Sequence, residues 1–400
     1  MSAANRRAFA LLFACLLSVG MGQSMLFSIL PPAAREIGIT PFQVSTIFAT
    51  SAFLWVFVSP WWGRKSDVTG RRKIILIGLL GYATSMAALA TVIRIGTERW
   101  LPASVVYPLL IASRCIFALV GSGTGPASQA YIADRTSRSE RTAGVALVSA
   151  AMGLGETIGP GVGAALASFG IVAPLYLAAA LAVVSAATIW HFLPETELPR
   201  EQRPERPPRM RVGDRRVLPF LGVVTALQAV RATTIITLAF FLQDTLQLDA
   251  HDTVRYSGTG FVVLAIAGLF SQLVIVQRFR PAPRTMIRVG TLLMLAAFLA
   301  FVFGSNLPVY FLALAALGLG MGLVRPGAAA AASLAVTPAE QGSVAGLLGG
   351  VSVIGNVFGP MLGTALYSLD RHGPHLMNSA VMALILVLVW TNARIRRAHA

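Results

Sequence analysis

Long apolar segments, separated by short polar ones, follow one another along all 400 residues of the chain. Each is about 20 residues long, enough for a helix to cross a hydrocarbon core of roughly 30 Å. The run after Arg6 and Arg7 is too long for a signal peptide and ends at Pro31-Pro32, which indicates a retained first span. The pattern predicts twelve membrane-spanning helices, at residues 8–31, 41–62, 73–93, 105–130, 142–168, 172–193, 218–243, 255–276, 285–304, 308–333, 341–367 and 373–393.

Composition supports an all-α integral membrane protein, because 56% of the residues are hydrophobic and only 12% are charged. A net charge of +16 would suggest nucleic-acid binding in a soluble protein. Here 24 of the 32 Lys and Arg residues fall in segments that share one side of the membrane if the N-terminus is cytoplasmic. The positive-inside rule therefore predicts that both termini are cytoplasmic in a bacterial-type inner membrane, with lipid and not nucleic acid as the surroundings.

Candidate cofactor sites are not evident in the sequence. Cys15 and Cys115 both fall within expected spans and have no pairing or metal-ligand spacing. No phosphate-binding P-loop occurs, so ATP is not expected to drive the protein directly. We therefore expect no metal, no cofactor and no enzymatic centre.

The two halves of the chain repeat each other at an offset of 200 residues. A Pro- and Arg-rich linker at 194–217 separates residues 1–193 from residues 218–400, and each half holds six expected spans. "IGPGVGAAL" (158–166) matches "FGPMLGTAL" (358–366), which predicts two six-helix bundles related by a pseudo-two-fold repeat. The glycines either pack helices closely or form a sliding surface, and both readings stay open. The matched positions are Gly155, Gly159, Pro160 and Gly163 with Gly355, Gly359, Pro360 and Gly363.

One acid, Glu156, falls deep within an expected span. Arg114 and Glu156 lie at equal distances from position 135, in the turn between two antiparallel spans, so similar depths and a buried ion pair are expected. Charges in hydrocarbon cost several kcal/mol, so intramembrane ionisable residues favour function, here proton coupling. A purely structural ion pair is the alternative.

Further polar residues within the spans are candidates for a substrate cavity. Gln23, Gln228 and Arg231 would line it, and an arginine there would attract an anionic substrate. Arg325, which precedes Pro326, is either a cavity residue or one that binds backbone carbonyl groups or extends towards an interface.

The turn "GRKSDVTGRRK" (63–73) resembles the loop signature of the major facilitator superfamily. The resemblance lies in the order of its small and charged residues, and we expect the two glycines to allow a tight reversal there. These residues are Gly63, Asp67, Gly70, Arg71 and Arg72. "GETIGP" (155–160) resembles the antiporter motif of the family, and "AYIADRTSRSERTAG" (130–144) that of its tetracycline:proton branch. Arg114 stands where the family keeps an arginine linked to proton transfer.

The chain also departs from that family pattern. Lys65 and Val68 replace an apolar and a basic residue of the loop signature, and the second-half loop "QRFRPAPR" (277–284) has no acid. Tetracycline-type exporters carry an acid in span 1, where this chain offers Gln23 and Ser24.

The resemblance implies a secondary transporter that exports a small amphipathic compound in exchange for protons by alternating access, working as a single chain. In that reading Asp67, Arg71 and Arg72 latch the cytoplasmic side, and Glu156 with Arg114 carries the proton. Uptake symport or facilitated transport of a sugar or organic anion is the alternative within transport. A polytopic sensor or scaffold is the alternative outside it.

Overall fold

The computed structural model describes residues 3–136, 141–195, 213–337 and 340–391, with side chains except those of residues 3–5, 141–149 and 342. Within these ranges the ordered elements are helices and no strand occurs. Eleven described helical segments are long and apolar enough to span a membrane. A further helix, Arg141–Leu166, covers the span expected at 142–168. The all-α architecture with room for twelve spans is therefore confirmed.

Contacts divide the chain into two compact units, Met1–Gln202 with Leu248–Thr259 (unit 1) and Arg203–Gln247 with Gly260–Ala400 (unit 2). Residues 196–212 of the expected linker lie outside the described ranges. The helices of the first half are α1 (Ala3–Ile37), α2 (Pro41–Thr69), α3 (Arg71–Thr97), α4 (Ala103–Leu119), α5 (Thr124–Asp134), α6 (Arg141–Leu166) and α7 (Ala173–Phe192).

The second half begins with α8 at the end of the expected linker. Its third element, α10, directly follows α9 and a π-helical segment at Ser271–Val276. The helices are α8 (Leu218–Leu246), α9 (Ala250–Phe270), α10 (Gln277–Phe279), α11 (Pro283–Phe303), α12 (Leu307–Leu334), α13 (Gln341–Leu369) and α14 (Gly373–Thr391).

Within each unit the helices pack side by side around a buried apolar core. In unit 1, α1 lies against α6 and α7, whereas α4 lies against α2 and α3. In unit 2, α8 lies against α13, and α11 lies against α12 and α14. Large fully buried side chains such as Tyr82, Phe241 and Phe298 fill these contacts. The packing decides which polar side chains can meet.

Three expected boundaries are corrected by the structure. Helix α1 continues through Pro31-Pro32 to Ile37, since a proline in a membrane helix removes one hydrogen bond without ending the helix. Helix α2 continues through Gly63 to Thr69, because charged residues beyond the hydrocarbon core do not interrupt a helix. The expected fourth span is divided at a 3₁₀ turn, Gly121–Gly123.

Candidate functional site

Close packing of α6 against α1 sets the position of Glu156 in unit 1. A methyl group at Gly155 would lie 2.7 Å from the Met21 amide nitrogen, so only glycine permits this approach. Ser24 Oγ lies 3.4 Å from the carbonyl oxygen of Gly155 and donates a hydrogen bond to it. Gly159 faces α1 in the same way and would overlap Met21 if it carried a methyl group. Glu156, one residue along the helix, is exposed.

Arg114 of α4 lies in the interior of unit 1 and is only 5% exposed. Its Nη1 donates a hydrogen bond to Gln23 Oε1 over 3.1 Å. Phe48 and Phe117 flank the guanidinium, with ring centroids 5.5 and 5.1 Å from its central carbon. These distances permit cation–π attraction, which offsets part of the cost of burying the charge. The arrangement is a desolvated cation held by an amide and two aromatic rings.

The expected buried pair between Arg114 and Glu156 is corrected by this geometry. Similar depth is not enough, because α4 packs on α2 and α3 whereas α6 packs on α1. The amide of Gln23 on α1 takes the place expected for the carboxylate, and Glu156 is exposed. No ion pair joins the two residues in the part of the chain that the structure describes. The roles of Arg114 and Glu156 therefore need separate arguments.

Arg71 organises the turn between α2 and α3. It is 7% exposed, and its guanidinium contacts Asp67 Oδ1 at 2.5 Å, Asp134 Oδ2 at 3.0 Å and Ser66 Oγ at 2.6 Å. Because Asp134 ends α5, one buried arginine ties three helices together. The chain reverses only at Gly70, whose φ of 105° favours glycine. The expected reversal at Gly63 is wrong, because that residue lies within α2.

Arg72 and Glu195 join the start of α3 to the segment that follows α7. The Arg72 amide donates to Glu195 Oε1 over 3.1 Å, placing a carboxylate at the N-terminus of α3, where the helix dipole favours negative charge. The Arg72 side chain donates to the Trp190 carbonyl oxygen and lies over the Trp190 ring. Tyr131 donates to the Pro194 carbonyl oxygen over 2.9 Å. The turn is thus attached to two further helix ends.

Unit 2 repeats the glycine contact with different side chains around it. A methyl group at Gly355 would lie 2.7 Å from the Ala229 amide nitrogen, so α13 packs on α8 as α6 packs on α1. Gln228 is 6% exposed within this contact. Arg231 is half-buried on the same helix, and Arg325 is exposed on α12.

The remaining glycines and prolines of the repeat lie in the same two contacts. Gly163 faces Met25, and a methyl group there would meet the Met25 side chain at 3.3 Å. Gly359 faces Ala229 and Gly363 faces Thr233. Pro160 and Pro360 are buried within α6 and α13, which continue through them.

A second ion cluster joins the starts of α8 and α13 in unit 2. Arg216 Nη2 lies 2.8 Å from Glu340 Oε1 and 2.8 Å from Asp214 Oδ2. Glu340 Oε2 also accepts from the Thr337 amide over 3.0 Å. The hydrogen bonds from Arg216, followed by those from Thr337, lower the pKa of Glu340 to about 2. Hydrogen bonds to Asp214 and Glu340 raise the pKa of Arg216 above its usual range.

Sequence reasoning missed Asp134, Glu195 and Phe117 as site residues. The first two are acids next to helix ends in a chain with only 16 acids, a signal that could have selected them. Phe117 lies three residues after Arg114, on the same helix face. Within the described ranges, no group of three or more His, Cys, Asp and Glu could hold a metal ion.

Comparison with known proteins identifies relatives along the whole chain. The sequence profile of the Major Facilitator Superfamily matches residues 12–282 and 274–399. Multidrug resistance protein 2 of Bacillus subtilis is 27% identical over 399 residues, covering 96% of this chain and 94% of that protein. The class C tetracycline resistance protein of Escherichia coli is 27% identical over 379 residues, covering 88% and 87%.

Solved structures share the fold. The crystal structure of the human organic anion transporter MFSD10 (TETRAN) has a TM-score of 0.63 at 24% identity, covering 97% of this chain and all of that chain. A bacterial homologue of the iron transporter ferroportin has a TM-score of 0.73 at 15% identity, covering 98% and 99%.

Proposed function

Because the chain belongs to the Major Facilitator Superfamily, it is a multi-pass membrane transporter and not an enzyme, and we propose that it exports small amphipathic compounds in exchange for protons. Its relatives include proteins named for multidrug and tetracycline resistance, which supports export of such compounds. We further propose that it acts as a single chain in a bacterial-type inner membrane, with both termini cytoplasmic.

The position of Glu156 carries this proposal. Every other acid that the structure describes lies at or beyond a helix end or in a terminal turn, whereas Glu156 lies well inside α6. An ionised carboxylate in hydrocarbon costs several kcal/mol, so an acid at this depth favours a functional role. A carboxyl group that is protonated in one access state and ionised in the other would couple proton movement to the change of state.

The residues of the α2–α3 turn have a different role in this proposal. Arg71 and its partners Asp67 and Asp134 hold three helix ends together. An ion cluster of this kind can stabilise one access state over the other, since its contacts form or break as helix ends move. Gln228, Arg231 and Arg325 remain proposed substrate-cavity residues of unit 2, and Gln23 is the corresponding proposal for unit 1.

Proton flux in everted membrane vesicles with an acid interior tests the coupling. Adding a transported compound outside should discharge the pH gradient with the wild type and leave it intact with Glu156→Gln. Glu98→Gln is the matched control, because it removes an acid from the exposed Arg94–Glu98 pair beyond α3. Both variants must reach the membrane at wild-type levels.

Two outcomes would contradict the proposal. Discharge only when the compound is loaded inside the vesicles would indicate uptake symport. Equal discharge by wild type and Glu156→Gln would show that Glu156 does not carry the proton.

A further inference from the structure

The site around Arg114 in unit 1 combines a buried cation with donors that have no partner. Arg114 is 95% buried by its 5% exposure, and its Nε has no hydrogen-bond partner among the described residues. The same is true of Nε2 of Gln23, whose Oε1 accepts from Arg114. A buried N–H group without a partner costs roughly 1–3 kcal/mol, and more when it belongs to a charged group. Two such donors on adjoining side chains mark a site for an acceptor.

The charge of the site selects the acceptor. The described ion pairs of unit 1 place no carboxylate on Arg114, so its single positive charge faces only a neutral amide and aromatic rings. One carboxylate would neutralise that charge and accept from both kinds of donor. A dianion such as phosphate would leave an uncompensated negative charge in a desolvated place.

Aromatic rings on three helices surround the same group. Phe117 lies three residues after Arg114 on α4, and Phe27 lies four residues after Gln23 on α1, so each ring shares a helix face with a polar group. Phe48 of α2 completes the group, with its ring centroid 5.1 Å from that of Phe27. Phe27 and Phe117 are partly exposed, whereas Phe48 is buried. These rings offer an apolar surface next to the cation.

Close approach of α1 and α3 holds Gln23 in position. A methyl group at Gly22 would overlap the Tyr82 hydroxyl group and lie 2.6 Å from Ala178 Cβ. Tyr82 Oη in turn donates to the Val19 carbonyl oxygen over 3.2 Å, and its ring lies 5.6 Å from that of Phe117. The amide is thus placed by a rigid backbone contact, as a specific binding site requires.

We propose that Arg114 and Gln23 bind the carboxylate of an aromatic monocarboxylic acid whose ring packs against Phe27, Phe48 and Phe117. Such a molecule belongs to the amphipathic class of the proposed export function, on which this inference rests for its meaning as a substrate. Arg114 is then a substrate-binding residue, and proton coupling is left to Glu156.

Equilibrium binding to the purified full chain in lipid nanodiscs tests the proposal without requiring transport. The probes are 2-naphthoate, 2-naphthamide, 2-naphthylmethylammonium and acetate, of which the first three share one aromatic body and control for partition into lipid. The wild type should bind naphthoate at least about tenfold more tightly than each of the others, as expected for charge-assisted hydrogen bonds.

Two variants separate binding from folding. Arg114→Gln should bind naphthoate no better than naphthamide. Gln23→Glu should fold well, since it gives the buried arginine an internal carboxylate, and it should lose naphthoate binding at least about tenfold because that carboxylate competes with the ligand. Arg94→Gln, which changes an exposed arginine at the end of α3, is the matched control and should bind as the wild type does.

Equal binding of naphthoate and naphthamide by the wild type would overturn the proposal. Unchanged naphthoate binding by a folded Gln23→Glu variant would overturn it too, and acetate binding as tight as naphthoate would remove the aromatic part of the assignment. The result is independent of the vesicle experiment. Carboxylate binding without proton flux would count against the proposed coupling alone, and proton flux driven only by neutral or cationic compounds would count against this inference alone.

Discussion

In both units a glycine brings the later helix against the earlier one. Gly155 of α6 approaches the Met21 amide, and Gly355 of α13 approaches the Ala229 amide, each at 2.7 Å from where a methyl carbon would lie. The corresponding glycines are 200 residues apart, whereas the positions that they contact are 208 residues apart. The contact is therefore the same structural element in both units, and its register along α8 differs from that of the offset seen in the sequence repeat.

The charges placed on this shared frame differ between the units. At the 208-residue offset Gln23 of α1 corresponds to Arg231 of α8, and at the 200-residue offset Arg114 of α4 corresponds to the buried Leu314 of α12. Unit 1 thus carries its cation on α4 and an amide on the first helix. Unit 2 carries its cation on the first helix and leaves the other position apolar.

The acid follows the same division. Glu156 corresponds to Asn356, so only unit 1 holds an ionisable group at that place in the glycine contact. Packing depends on small size, which both units must keep, whereas a proton-carrying group is needed only once. The comparison indicates that the shared positions serve packing and the differing ones serve transport.

The largest expected effect comes from moving the acid between the units. A double variant, Glu156→Asn with Asn356→Glu, keeps the composition and the glycine contacts but places the carboxyl group in unit 2. Substrate-driven proton flux in everted vesicles should fall to the background level, because the proposed coupling requires the acid in unit 1. Asn356→Gln alone should retain flux. Flux near the wild-type level in the double variant would show that the two positions are equivalent.

Added methyl groups at the glycine contacts should come next. Gly155→Ala places Cβ against the backbone of α1, so it should cost about 1–3 kcal/mol or more and lower the melting temperature of the purified protein by several degrees. Gly153→Ala is the matched control, since a methyl group there meets nothing within 4 Å.

The same pair of substitutions in unit 2 tests whether the contact is repeated. Gly355→Ala should destabilise as Gly155→Ala does, and Gly350→Ala, which also meets nothing within 4 Å, should not. A large effect in one unit and none in the other would break the equivalence of the two contacts.

Much of this frame follows from the sequence, and the partners of its charges do not. Helix number and position are set by the length of apolar runs, which the hydrocarbon thickness fixes. Depth along a helix can be counted in residues, but the face on which a side chain lies depends on which helices are neighbours. Arg114 was therefore expected to meet Glu156 and instead meets Gln23, because α1 packs against α6. The rings of Phe48 and Phe117 come from two helices and leave no local pattern.

A smaller effect is expected at the α2–α3 turn. Arg71→Gln removes the buried cation that holds Asp67 and Asp134, and it should cost about 1–3 kcal/mol, less than a fully buried pair because Asp67 is largely exposed. The counterpart in unit 2 is the exposed Arg280, and Arg280→Gln should leave the melting temperature unchanged. Equal effects of the two substitutions would show that the acid partners of Arg71 add nothing.

The smallest effect is expected at the Arg216–Glu340 pair of unit 2, which is exposed and screened by solvent. Because the pKa of Glu340 is lowered from 4.5 to about 2, its ionised form is favoured in the folded protein. The resulting stabilisation is fully present above pH 4.5 and is lost as the pH falls through about 2. The melting temperature of the wild type should exceed that of Glu340→Gln by a small amount at pH 6, and the difference should shrink steadily below pH 4.5. A difference that stays constant down to pH 3 would mean that the side chain stabilises unit 2 by its shape and not by its charge.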